Sequence, residues 1–129
     1  MIFHFEILAG KYAICQFKNN AILPDWIYSS EFYSITRTTD EITVIVSQTD
    51  EISQDIVCSK DWRILKVAEQ LDLSLIGIIA EISGILKEKE IPIFTISTYN
   101  TDYILVRQKD LNTGIKVLKD KGHNISFKK

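Results

Sequence analysis

The chain has 129 residues, of which 46% are hydrophobic and 25% charged, and its formal charge is −2. That make-up fits one ordinary folded domain or two small ones, with enough chain to bury a core. It excludes the basic face that a phosphate backbone demands, so no nucleic-acid partner is expected.

The opening run MIFHFEILAG is apolar, has no basic flank and is too short for a secretory signal. YAICQF, from Tyr12, reads as a strand. AILPDWIY makes only a short helical turn, because Pro24 interrupts it. FYSITRTTDEITVIV, from Phe32, reads as two strands around a turn, and QTDEISQDIVCSK has room for a short helix and a closing strand. Cys15 and Cys58 stand far apart in apolar surroundings, in neither a CxxC pair nor a zinc spacing. They are predicted to be buried free thiols in a reducing compartment.

The second half is plainer. DWRILKV predicts a strand with Trp62, Ile64 and Leu65 as the candidates to face the core. Leu75, Ile78, Ile79, Ile82, Ile85 and Leu86 recur at helical spacing, with Ser74 as N-cap and Pro92 closing the element. The most apolar run, Leu75 to Ala80, is far below membrane-spanning length, so a cytoplasmic protein without a membrane partner is expected. IFTISTY and DYILVR form an antiparallel pair around a tight turn. Asp110 or Asn112 caps a second helix, Gly122 ends it, and HNISF is a last strand with Ile125 and Phe127 on one face. Strand, helix, strand, strand, helix, strand is the split ferredoxin-like order, an α+β fold with helices on one face of an antiparallel sheet.

The two halves repeat each other. At an offset of 62 residues, Phe32/Phe94, Thr36/Thr98, Thr39/Thr101, Asp40/Asp102, Ile42/Ile104 and Val44/Val106 are identical pairs. YAICQF matches WRILKV at an offset of 50, so the first copy is 12 residues shorter where the long helix of the second lies. The prediction is two βαββαβ units, residues 1–60 with truncated helices and residues 61–129 complete, packed together.

Catalytic patterns are missing: no GxGxxG, no Walker loop, no nucleophile elbow. His4 and His123 lie in no triad or metal pattern and read as surface or strand-end histidines. The chain is therefore expected to be no enzyme and to hold no metal and no cofactor. What the residues do suggest is a small-ligand seat. A helix starting near Ser74 points unsatisfied N–H groups outward, a seat for a carboxylate. Gly77 in its first turn serves either close ligand approach or close helix–sheet packing. Thr98, Tyr99 and Asn100 lie beside that junction. Asp102 either offers a carboxylate to an ammonium group or simply suits the turn.

LDLSLIGIIAEISGILKEKEIPIFTISTYNTDYILV resembles an ACT domain, the small regulatory module of aspartate kinases and other amino-acid enzymes. With YAICQF and FYSITRTTDEITVIV in the first half, the whole chain is similar to stand-alone tandem ACT proteins, whose relatives include Castor-type amino-acid sensors. The resemblance implies a non-catalytic sensor that binds a free amino acid at the interface between ACT units, and a homodimer. It maps the loop after the first strand to Ser74, Leu75, Ile76 and Gly77, the strand edge to Thr98, Tyr99 and Asn100, and the acidic position to Asp102. In the first unit the matching hairpin includes Arg37 and Thr38. Arg37 stands either as a cation for the ligand or as a solvated strand end. The alternative is an interaction module of the same fold that has lost its ligand.

Overall fold

The computed structural model describes residues 2–69 and 77–128. In chain order the elements are β1 (His4–Ile7), β2 (Tyr12–Phe17), a 3-10 turn (Asp25–Ser29), β3 (Ser34–Arg37), β4 (Ile42–Ser47) and β5 (Val57–Val67). Then follow α1 (Ile78–Lys87), β6 (Ile93–Ser97), β7 (Asp102–Arg107), a 3-10 turn (Gln108–Asp110), α2 (Leu111–Asp120) and β8 (Asn124–Phe127). The chain divides into two compact units, Gly10–Trp62 and Met1–Ala9 with Arg63–Lys129. The N-terminal strand thus groups with the second half, and β5 crosses the boundary without a break.

In the unit Gly10–Trp62 the strands run β3–β4–β2–β5, each neighbour antiparallel. That is the ferredoxin-like order with both helices reduced, as the sequence predicts. Pro24 sits at the N-cap of the 3-10 turn, its extended geometry ending the preceding loop. The turn delivers Ile27, fully buried, onto Ala13, Cys15, Ile42, Val44, Val46 and Ile52. The β2–β5 register slips between Tyr12 and Ile14, where Asp61 takes a left-handed φ of 65°. This is a β-bulge, a device that bends a strand where its pairing changes. Gln48 holds it: its Oε1 accepts the Asp61 N–H at 2.7 Å and its Nε2 donates to Oδ1 at 3.0 Å. That side-chain bond holds the exposed Asp61 carboxyl below its ordinary pKa, against some desolvation, with Lys11 helping at 3.6 Å.

The other unit has the strand order β6–β7–β5–β1–β8. Here the structure departs from the expected antiparallel sheet. β1 lies between β5 and β8, antiparallel to the first and parallel to the second. Phe5 pairs with Val67 on one side and Ile125 on the other. The period-two pattern of the opening run explains it: Phe3, Phe5 and Ile7 are buried while His4 and Glu6 face the other way. Glu69 accepts the His4 N–H through both carboxylate oxygens, at 2.7 and 3.0 Å, and His4 Nε2 lies 2.7 Å from Ser126 Oγ. His123 is buried rather than superficial. Its Nδ1 accepts the Phe3 N–H at 3.0 Å, and its ring stacks on Phe3 at 5.8 Å.

Both helices share one core. Ile78, Ile82, Ile85 and Leu86 of α1 and Leu111, Val117 and Leu118 of α2 join Phe5, Ile7, Leu65, Val67, Ile104 and Val106. Trp62, Ile64 and Leu65 are buried as predicted, and Leu65 and Val67 are the β5 residues in the core shared with the helices. Ile125 packs on this core, whereas Phe127 at the strand end is 59% exposed. Asp110 occupies the N-cap position of α2 without making a side-chain cap bond. Gly122, at φ 93°, ends the helix with the His123 N–H reaching Leu118 O at 3.1 Å.

Candidate functional site

The expected seat is described in part. Ser74, Leu75 and Ile76 lie outside the described residues. Gly77 is not in the first turn of α1, as the periodicity predicts, but is its N-cap, in the left-handed region at φ 82°. Only glycine adopts that conformation without strain, so its role here is the sharp entry into the helix. Its carbonyl accepts the Glu81 N–H at 2.9 Å. Gly77 has no side chain to cap α1, and among the described residues no side-chain cap bond is made at this helix start.

The polar knot between β6 and β7 is a closed turn. Thr98 N–H donates to Thr101 O at 2.8 Å, and Thr98 Oγ1 accepts the Thr101 N–H at 3.3 Å. Thr101, buried, donates its hydroxyl to Val67 O at 2.7 Å. This bond ties the hairpin to the end of β5, the end from which the chain leads to α1. Asp102 opens β7 opposite Ser97, whose hydroxyl donates to its Oδ1 at 2.5 Å. The carboxylate is therefore already satisfied on one oxygen. Tyr99, 79% exposed, and Asn100, exposed, form the tip. Thr101→Val is expected to cost about 1–3 kcal/mol, because it removes a buried hydrogen bond between the hairpin and the Val67 carbonyl. Urea unfolding checks this, and Thr98→Val, which loses the part-buried bonds of the Thr98 hydroxyl to the Thr101 backbone, is the comparison.

In the first unit Thr38 plays the part of Thr98. Its Oγ1 accepts the N–H groups of Asp40 and Glu41, each at 3.1 Å, and its N–H donates to Glu41 O at 2.9 Å. The turns Thr38–Glu41 and Thr98–Thr101 are thus 60 residues apart, not the 62 of the identity pattern. By this geometry Arg37 corresponds to Ser97 rather than to Tyr99, and Asp102 corresponds to Ile42 rather than to Asp40. A shift of two keeps every side chain on its face, so the alternating burial pattern fits either register, while the identities alone favour 62. Arg37 is exposed at the end of β3.

One cavity went unread in the sequence. In the first unit a space of about 570 Å³ opens between the end of β2, the β3–β4 turn and the start of β5. Phe17, Ala21, Ile56 and Val57 give it an apolar wall, and Lys18, Asp40, Glu41 and Asp55 its charges. The Ser53 hydroxyl holds the exposed Asp55 carboxyl below its ordinary pKa, its own backbone assisting against desolvation. In the second unit a groove of about 530 Å³ runs between α1 and β6, lined by Ala80, Gly84, Ile91 and Ile93. Among the described residues no group of three or more His, Cys, Asp or Glu side chains could hold a metal ion. Nor is any described helix long and apolar enough to cross a membrane.

Residues 57–120 match the family model described as the ACT domain, and residues 10–55 match a second model, of an N-terminal domain. A crystal structure of a protein from Agobacterium tumefaciens is similar over 100% of this chain and 96% of its own, with a TM-score of 0.90 and 29% identity. An aspartate kinase of Clostridium acetobutylicum, described as an allosteric enzyme, shares the fold over 87% of this chain and 33% of its own, with a TM-score of 0.63 and 10% identity. So does a candidate C-terminal regulatory domain of aspartate kinase from Porphyromonas gingivalis, over 91% and 94%, with a TM-score of 0.57 and 16% identity. No curated protein sequence matches significantly.

Proposed function

We propose, on the premise that residues 57–120 are an ACT domain, that the protein is a non-catalytic regulatory sensor for a free amino acid. The seat is the corner between the start of α1 and the β6–β7 hairpin. The ligand carboxylate meets the N–H groups that follow Gly77 and the segment Ser74 to Ile76. Its ammonium meets the open oxygen of Asp102, with Thr98, Tyr99 and Asn100 alongside. The observation that supports the reading is the start of α1 at Gly77, where no side-chain cap bond is made among the described residues, together with the hairpin that Thr101 anchors to Val67 at the end of β5. A helix start favours an anion, and charge-assisted bonds suit a zwitterion. Within the first unit, taken by itself, Arg37 is the candidate cation of the matching hairpin, and Thr38 beside it closes the turn. The reading places the protein in the cytoplasm as a homodimer, and light scattering after size exclusion checks the dimer.

A thermal-shift screen of the standard amino acids tests the function. A ligand at 100 times its dissociation constant adds about 2.7 kcal/mol of stability, and Asp102→Asn is expected to abolish the gain. Silence from every amino acid would overturn the reading. The second reading, an interaction module without a ligand, is favoured by β6, which pairs only with β7 among the described strands and offers a free edge. It predicts a partner whose binding survives Asp102→Asn.

A further inference from the structure

We propose that Cys15 and Cys58 are a reversible dithiol–disulfide couple, entered through Cys58 by small disulfides of the glutathione class. The two residues are direct register partners on β2 and β5, with Cα atoms 4.2 Å apart, and they are joined as a disulfide. Facing positions on adjacent strands bring two Cβ atoms within bonding reach without moving the backbone. The two sulfurs differ in access. Cys15 is 1% exposed within the core of its unit, whereas Cys58 is only half-buried beside Val57, itself 66% exposed. An external thiol or disulfide therefore reaches Cys58 and not Cys15, and exchange requires such access.

The unit also holds together without the bond. β2 keeps six register pairs with β4, and Gln16/Val57 and Ile14/Ser59 flank the cysteines on β5. Its apolar core includes Ile27, Ile42, Val44 and Val46, so reduction leaves a folded acceptor for reoxidation.

The chemistry balances as follows. The Cys58 thiolate attacks one sulfur of R–S–S–R; that bond breaks, Cys58–S–S–R forms, and R–S⁻ leaves to take up the proton Cys58 lost. The Cys15 thiolate then attacks Cys58 Sγ, closing the protein disulfide and releasing the second R–S⁻, which takes up the Cys15 proton. Two protein thiols are oxidised and one small disulfide is reduced to two thiols, and excess thiol drives the reverse.

The test equilibrates the reduced full-length protein in buffers of rising glutathione disulfide to glutathione ratio, then alkylates and maps it by mass spectrometry. The Cys15–Cys58 bond is expected to form progressively and to reopen when the ratio is reversed, with circular dichroism native throughout. In Cys15→Ser a glutathione adduct accumulates on Cys58, and in Cys58→Ser the adduct on Cys15 forms at least about tenfold more slowly. A bond that never forms overturns the proposal. So does one that stays closed in excess thiol while the protein is native, since it is then a fixed staple. Equal adduct rates at the two cysteines overturn the assigned point of entry. The wild-type titration stands even if a variant fails to fold.

Discussion

Phe5→Ala is expected to destabilise the protein by about 3–5 kcal/mol, the cost of emptying a large, fully buried aromatic site. Phe5 is 0% exposed, lies between Val67 and Ile125 in register, and meets the His123 ring edge-on at 5.6 Å. The strand that carries it completes the sheet of the second unit, although most of that unit lies some sixty residues further on. Urea unfolding with an unchanged slope measures the loss. Glu6→Gln, on the opposite face and paired with Lys66, should cost no more than about 1 kcal/mol. Equal effects from the two substitutions would mean that β1 is not packed as described. For the same reason a fragment beginning at Asp61 is expected not to fold alone, since it leaves β5 and β8 without the strand between them.

Opening the Cys15–Cys58 bond is expected to lower stability by roughly 4 kcal/mol, from the chain entropy returned to the unfolded state by a loop of 43 residues. The measurement compares urea unfolding of the oxidised wild type with that of the reduced protein. Cys15→Ala/Cys58→Ala should lose all dependence on reductant. A midpoint that does not move with reductant would show that the bond contributes nothing in solution. The effect is large beside the ordinary margin of a small domain, about 5–15 kcal/mol, yet leaves it folded.

Local pattern accounts for what the sequence made visible. The three-and-four spacing from Ile78 to Leu86 specified α1, and Pro92 and Gly122 marked its end and that of α2, because these signals act over a few residues. The start of α1 was misplaced because the apolar pattern runs on through Leu75, while Gly77 turns the backbone out of the helix. Within the candidate site the residue types at the hairpin were legible; their engagements were not. Nothing in ISTYNTDYILV states that Thr101 reaches Val67, 34 residues earlier, or that Ser97 occupies one oxygen of Asp102.

The sequence by itself determined the split α+β order, the internal duplication with its shortened first copy, and the ACT resemblance of the second half. The first follows from periodicity along the chain, the second from identities between its two halves, and the third is a resemblance carried by the residues from Leu71 to Val106. Tertiary structure alone decided that β1 joins the second unit, that Cys15 faces Cys58, that His123 is buried against Phe3, and that the two hairpins match at 60 rather than 62. Each of these depends on which strands become neighbours and in what register. Register in a sheet is set by long-range burial and pairing, and a shift of two residues leaves the local pattern unchanged.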